Sequence, residues 1–279
     1  MQTEDRNLIA FLALTFAVSW LLWAPRVLSA RGATGVPTPP NVGAFGPTVA
    51  AFVLTYLTRR REGVVELARR VVDVDFRARW WLPTLFLFPA INVGLLLVGH
   101  LQGDPLPSFP WREQPLTLPV AFVVVLLTTG PLQEEFGWRG YALDRIQRHW
   151  NALVASLIFG VVWATWHLPL FFFDEAVIYR PENVVGFVPS ILMVTVVITW
   201  IYNNTGGSLL PALLVHASFN FSHWALPVLE TTVARELYPF VLLGVTASVV
   251  LYWGPDDLSR RPRGVDDAIR PRRDEKSGR

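Results

Sequence analysis

Residues 118–140 read LPVAFVVVLLTTGPLQEEFGWRG, an apolar run that passes, within one segment, into two adjacent glutamates and an arginine. The first half has the composition of a helix facing lipid. The second half carries Glu134, Glu135 and Arg139 into a region where one charge near the bilayer centre costs about 2.5–3.5 kcal/mol on insertion scales. Groups retained against such a cost are candidates for function. This stretch therefore sets two expectations, a membrane helix and a polar site built into it.

Working outward, the rest of the chain repeats the apolar half. Its 279 residues are 52% hydrophobic and 16% charged, well beyond the apolarity of an ordinary soluble domain. A hydrocarbon core roughly 30 Å thick needs about 20 apolar residues per helical span. Runs of that order occur at 8–24, 42–57, 81–99, 118–140, 152–172, 184–202, 209–227 and 237–253. Aromatic residues mark many of their ends: Trp20 and Trp23, Trp80 and Trp81, Trp150, Trp200 and Tyr202, Tyr252 and Trp253. Amphipathic rings favour headgroup depth. The expected fold class is all-α, a polytopic transmembrane helix bundle of about eight spans. The protein is expected in a cell membrane as a multi-pass chain.

Basic residues in short loops set the orientation. With the N-terminus inside, 19 of the 24 Lys and Arg fall on the inner side and 5 on the outer side. Both termini are therefore expected in the cytoplasm. The segment before residue 8 is not notably basic and further spans follow, so the first span reads as a retained anchor rather than a cleaved leader. The excess of arginine is loop and tail charge facing an anionic leaflet, and nucleic acid is not among the expected partners. The chain has no cysteine, which excludes disulfides and thiolate chemistry.

The organisation reads as a membrane domain over 1–255, with a chemical core at 118–227, and a tail over 256–279. The tail is charged, proline-containing and almost free of apolar residues, a composition that gives disorder. Between 59 and 79, Val64, Val65, Leu67, Ala68, Val71 and Val72 recur at helical spacing opposite arginines, the pattern of a cytoplasmic amphipathic helix at the inner interface. An ordinary basic loop is the alternative. The proline-rich stretch 103–119 is expected to be extended.

Ionisable residues are concentrated in three spans. Five spans hold none within their apolar stretches, whereas 118–140, 152–172 and 209–227 hold Glu134, Glu135, Arg139, His167 and His216, with Asn220 one turn beyond His216. A single membrane histidine can simply hydrogen-bond a neighbouring helix; a gathering of such groups on three helices argues for a site. The polar break at 148–151 separates two of the three spans. Glu134 lies about 16 residues before it and His167 about 17 after, so at a 1.5 Å rise the two are expected at one level, roughly 24 Å from the turn. His216 lies roughly 12 Å into its own span by the same rise. Glu135 and Arg139 stand four apart in the favourable order for an ion pair, a structural clamp that leaves Glu134, turned about 100° away, to point elsewhere. His216 and Asn220 share a face. Pro131 is expected to loosen its helix and free carbonyl groups near the site.

These residues resemble a known family. Gln-Glu134-Glu135-Phe-Gly-Trp-Arg139-Gly-Tyr looks like the EExxxR motif of the CPBP (Abi, CAAX-protease) intramembrane endopeptidases. Trp163-Ala-Thr-Trp-His167 is similar to the family's FxxxH motif, and His216-Ala-Ser-Phe-Asn220 to its HxxxN motif. Trp163 departs from the family's phenylalanine, a change expected to affect packing rather than chemistry. The resemblance implies a peptide hydrolase in which Glu134 and His167 activate a water while His216 and Asn220 stabilise the oxyanion, with Glu135 and Arg139 in support. The implied partners are a peptide or protein C-terminal substrate, lipidated or not, and membrane lipids. Substrate and water are expected to enter from the cytoplasmic side. No cofactor is required in the preferred reading. In the alternative, Glu134, His167 and His216 hold a zinc or other divalent ion with one position open for water, although the HExxH pattern of zinc proteases is missing. His223 stands seven residues after His216, with a supporting role open to it. Two other functions compete: a non-catalytic binding or immunity protein using the same polar residues, and a small transporter, against which the chain shows no repeat relating its halves.

Overall fold

A computed structural model of the chain describes residues 3–37, 41–173, 177–180 and 183–260. Among them there is no strand. The α-helices are α1 (Thr3–Ala30), α2 (Gly46–Arg69), α3 (Trp81–Leu101), α4 (Thr117–Thr128), α5 (Pro131–Gly137), α6 (Asp144–Ile146, reached through a π-helical turn at Trp138–Leu143), α7 (Ala152–Trp166), α8 (Val184–Asn204), α9 (Leu209–Ala225) and α10 (Thr232–Trp253), with α5 and α6 as short continuations of α4. The chain is a multi-pass membrane protein. Among the described residues six segments are long and apolar enough to cross a bilayer, with Thr117–Ile146 counted as one. The other two expected spans form helices that miss that standard. The second half of α2 carries the charged run Arg59 to Glu62, and α9 has only 17 residues. Six of the eight expected spans thus coincide with segments that meet the standard for crossing a bilayer.

The basic stretch after the second span does form a separate helix. Arg60 takes φ 51° and ψ −154°, which breaks α2 in two and lets residues 61–69 turn away from the spanning half. Leu67 and Gly63 are buried, while Val65 and Val72 are exposed. Arg70, which caps this helix, ties the face together: its guanidinium donates to the carbonyls of Gly140 and Gly207 and to the Tyr202 hydroxyl, and it pairs with Asp144 at 3.3 Å. Beside it the Leu209 amide donates to the Arg70 carbonyl and the Ser208 hydroxyl to that of Asp73. One end of the bundle is closed by this network.

Several aromatic residues expected at headgroup depth instead pack helix against helix. Trp80, Trp200 and Trp253 pack edge to face or tilted at centroid distances of 5.1, 4.8 and 6.3 Å, joining the start of α3 to α8 and α10. Trp23 is buried, with its indole N–H on Asn41. Trp150 and Tyr252 remain exposed. Composition places such rings near a span end; only the neighbouring helix determines whether a ring end meets lipid or protein.

The segment expected to be a tail begins docked. Asp256 accepts from the Ala152 amide, Asp257 and Leu258 accept from Asn203 and Asn204, and the Leu258 side chain is fully buried. Two carboxamides at the end of α8 thus satisfy backbone carbonyls of a stretch that composition marks as polar. The rest of the expected tail, 261–279, lies outside the described residues.

Candidate active site

The site begins at a break in the fourth span. Helix α4 ends at Thr128, and Gly130 takes φ +118°, a conformation that L side chains rarely adopt. Pro131 then opens α5 at a position where its missing N–H is no loss. The break releases the Thr129 carbonyl, which accepts from Asn220 Nδ2 at 2.8 Å. A Cβ on Gly130 would stand 2.5 Å from Glu134 Oε1, so the glycine is also the notch in which that carboxylate lies. Gly137, one turn on, is pressed against the Pro47 backbone of α2, which seats α5 in the middle of the bundle.

Glu134 and Glu135 are both buried and face different partners. Glu134 Oε2 accepts two indole N–H bonds, from Trp163 at 2.7 Å and Trp138 at 3.1 Å. Glu135 Oε1 accepts from Arg139 Nη1 at 2.7 Å and meets His216 Nδ1 at 2.8 Å. The guanidinium lies 4.8 Å from the Trp163 ring and 5.0 Å from that of Phe159, so the charge is enclosed between two π faces. A carboxylate only accepts, which assigns the His216 ring proton to Nδ1 and leaves Nε2 on the other side. His167 is fixed in the same way: its Nδ1 stands 2.7 Å from the Trp163 carbonyl, so Nδ1 donates and Nε2 is left free to accept.

These groups share one cavity of about 540 Å³, with Glu134, His167, His216 and Asn220 in its wall and Trp163 beside Gly130 at its base. Glu135 and Arg139 lie behind it, out of the lining. His223, with Nδ1 on the Phe219 carbonyl, also lines the space. His100 and His149 do not.

One expectation about the site changes. Trp163 does more than pack, since its N–H donates to the Glu134 carboxylate. Sequence reasoning treated it as a substitute for phenylalanine; the signal was its indole nitrogen, which cannot be buried cheaply without an acceptor. Trp138 and the Thr129 carbonyl were missed as well.

The cavity walls also bear on access. Besides the helices, they come from Asn41, Ser108, Tyr179 and Glu230, in the loops after α1, α3, α7 and α9. The Trp111 indole donates to the Ala225 carbonyl and the Val233 amide to Asp104, which ties the loop after α3 to the end of α9 and the start of α10. The Arg70 network and the docked 256–260 segment occupy the opposite face. An N-terminus in the cytoplasm and a cytoplasmic entrance therefore cannot both hold.

Among the described residues no three of His, Asp and Glu are grouped so as to hold an ion. His167 and His216 each direct Nδ1 to a protein acceptor and leave Nε2 open, an arrangement shared by metal-ligating and water-orienting imidazoles.

Comparison with known proteins agrees with the three motifs. Residues 116–222 match the family model described as type II CAAX prenyl endopeptidase Rce1-like. The chain is 26% identical over 251 residues to CAAX prenyl protease 2 of Methanococcus maripaludis, covering 85% of this chain and 91% of that protein. Over the segment that carries its three motifs, which the fold draws together at a buried cavity inside a membrane bundle, the chain is similar to type II CAAX prenyl endopeptidases of the Rce1-like kind.

Proposed function

We propose that the protein hydrolyses a peptide bond near the C-terminus of a peptide or protein substrate, with Glu134 as general base and no metal. The observation that carries this reading is a buried carboxylate with one oxygen anchored by two indoles and the other turned to a cavity that also receives two histidines. Glu134 Oε1 takes a proton from water as the water oxygen bonds to the carbonyl carbon. His167 Nε2 accepts from the same water and orients it. Asn220 keeps a second N–H after donating to Thr129 and offers it to the oxyanion, as does His216 when its ring holds both protons against Glu135. Donors held in place before charge develops are worth most where water is scarce. The tetrahedral intermediate then collapses, the C–N bond breaks, and Glu134 returns its proton to the departing amine. A lipidated C-terminal segment suits a cavity walled largely by aromatic and aliphatic side chains inside a bilayer protein.

The test is cleavage of quenched fluorescent peptides, prenylated and unmodified, by purified protein in detergent with and without a strong zinc chelator. Turnover that survives chelation supports the metal-free reading. Loss restored by added zinc overturns it. Absence of turnover on every peptide overturns hydrolysis in favour of a binding or immunity role.

We also propose that the basic face, with both termini, lies in the cytoplasm, so that the cavity loops lie on the other side. The chain's lack of cysteine makes this measurable with single cysteines at Ser108, on the cavity wall, and at the exposed Val72. A membrane-impermeant maleimide is expected to label Ser108→Cys in intact cells and Val72→Cys only after permeabilisation. The reverse pattern would invert the orientation and restore a cytoplasmic entrance; labelling of both from one side would contradict the fold.

A further inference from the structure

Trp163 touches four charged or titratable groups of the site: Glu134, His167, Arg139 and His216. Its indole Nε1 donates to Glu134 Oε2 at 2.7 Å, and its carbonyl accepts from His167 Nδ1 at 2.7 Å. Its ring lies 4.8 Å from the Arg139 guanidinium and meets His216 edge to face at 5.2 Å. The side chain is almost wholly buried, so the hydrogen bond to Glu134 is made in a water-poor setting where an N–H on a carboxylate is strong.

We infer that Trp163 is the positioning residue of this site: its indole N–H holds Glu134 Oε2 and thereby presents Oε1 to the attacking water. The inference rests on the proposed role of Glu134. Three observations carry it. Oε2 already receives two donors, Trp163 and Trp138, and so is the oxygen not available to substrate. Oε1 lies in the notch left by Gly130, near His216. The shorter of the two indole bonds is that of Trp163, which comes from α7 rather than from Glu134's own helix, so it alone fixes the carboxylate relative to His167. A phenylalanine could fill the same space and could not donate. Without the bond, the carboxylate turns between rotamers and spends less time with Oε1 toward the water, a loss felt in the chemical step and not in substrate binding.

The decisive variant replaces Trp163 by benzothienylalanine, in which sulfur stands for the indole N–H within a ring of nearly the same shape. Trp163→Phe is a second variant, and Glu134→Gln is measured beside them. The isostere is expected to lower kcat about 10- to 100-fold, the range for one hydrogen bond to a charged group, with KM within about twofold. Trp163→Phe should lose at least as much. An isostere with unchanged kcat, alongside an inactive Glu134→Gln, would overturn the positioning role and leave the base intact. An active Glu134→Gln would instead overturn the proposed function on which the inference rests. A rise in KM with kcat preserved would make Trp163 a substrate-binding residue and overturn the inference.

Discussion

Glu134→Gln is expected to lower kcat by about 10²- to 10⁴-fold, the contribution of a positioned general base, with the protein still folded. Glutamine suits the test because its carbonyl oxygen can still accept both indole bonds from Trp138 and Trp163, while the amide takes the place of Oε1. Anchoring and packing are kept, and only the capacity to take a proton is lost. Thermal unfolding in detergent should therefore change little, whereas initial rates on the best peptide should collapse. Equal rates for wild type and variant would end the assignment of Glu134 as base. A collapse in both rate and folding would mean that the carboxylate is chiefly structural.

Arg139→Met is expected to have the largest effect on stability. Its guanidinium and the Glu135 carboxylate are both fully buried, 2.7 Å apart. Removing one partner strands the other charge, at a cost of about 3–5 kcal/mol where such pairs have been broken. Glu135 would keep only His216 as a partner. Lysine is no safe replacement, since it lacks the flat guanidinium that lies between Phe159 and Trp163. The double variant Glu135→Gln with Arg139→Met should recover much of the loss, because no uncompensated charge remains. The check is a double-mutant cycle on unfolding midpoints in detergent or by SDS titration. Strict additivity would show that the two side chains do not act as a pair. Activity should stay low in the double variant, for His216 then faces a neutral amide in place of a carboxylate.

Much of the site was legible because motif residues at fixed helical offsets meet through local geometry. Glu135 and Arg139 are one turn apart on one helix, so their pairing needs no knowledge of the fold. The break at Thr129–Gly130 was likewise announced by Pro131. Long-range partners were not legible in this way. Nothing in the sequence pairs His216 with Glu135 rather than Glu134, since adjacent residues diverge by a third of a turn and only the approach of α9 chooses between them. The π-helical turn at Trp138–Leu143 likewise has no clear sequence sign.

By itself the sequence determined the class of fold, where the long apolar helices lie and which polar residues are candidates for the chemistry. These follow from terms that act locally: the cost of burying charge in lipid, the length of an apolar run, and the offset of side chains along a helix. The tertiary structure alone decided which oxygen of Glu134 is free, which nitrogen of each histidine is spent, and which face the cavity opens toward. Each of those depends on contacts between helices far apart in the chain, as between Trp163 and Glu134 or His216 and Glu135. A hydrogen bond chooses one atom over its neighbour within about an ångström, a resolution that pattern and spacing along one strand of sequence do not reach.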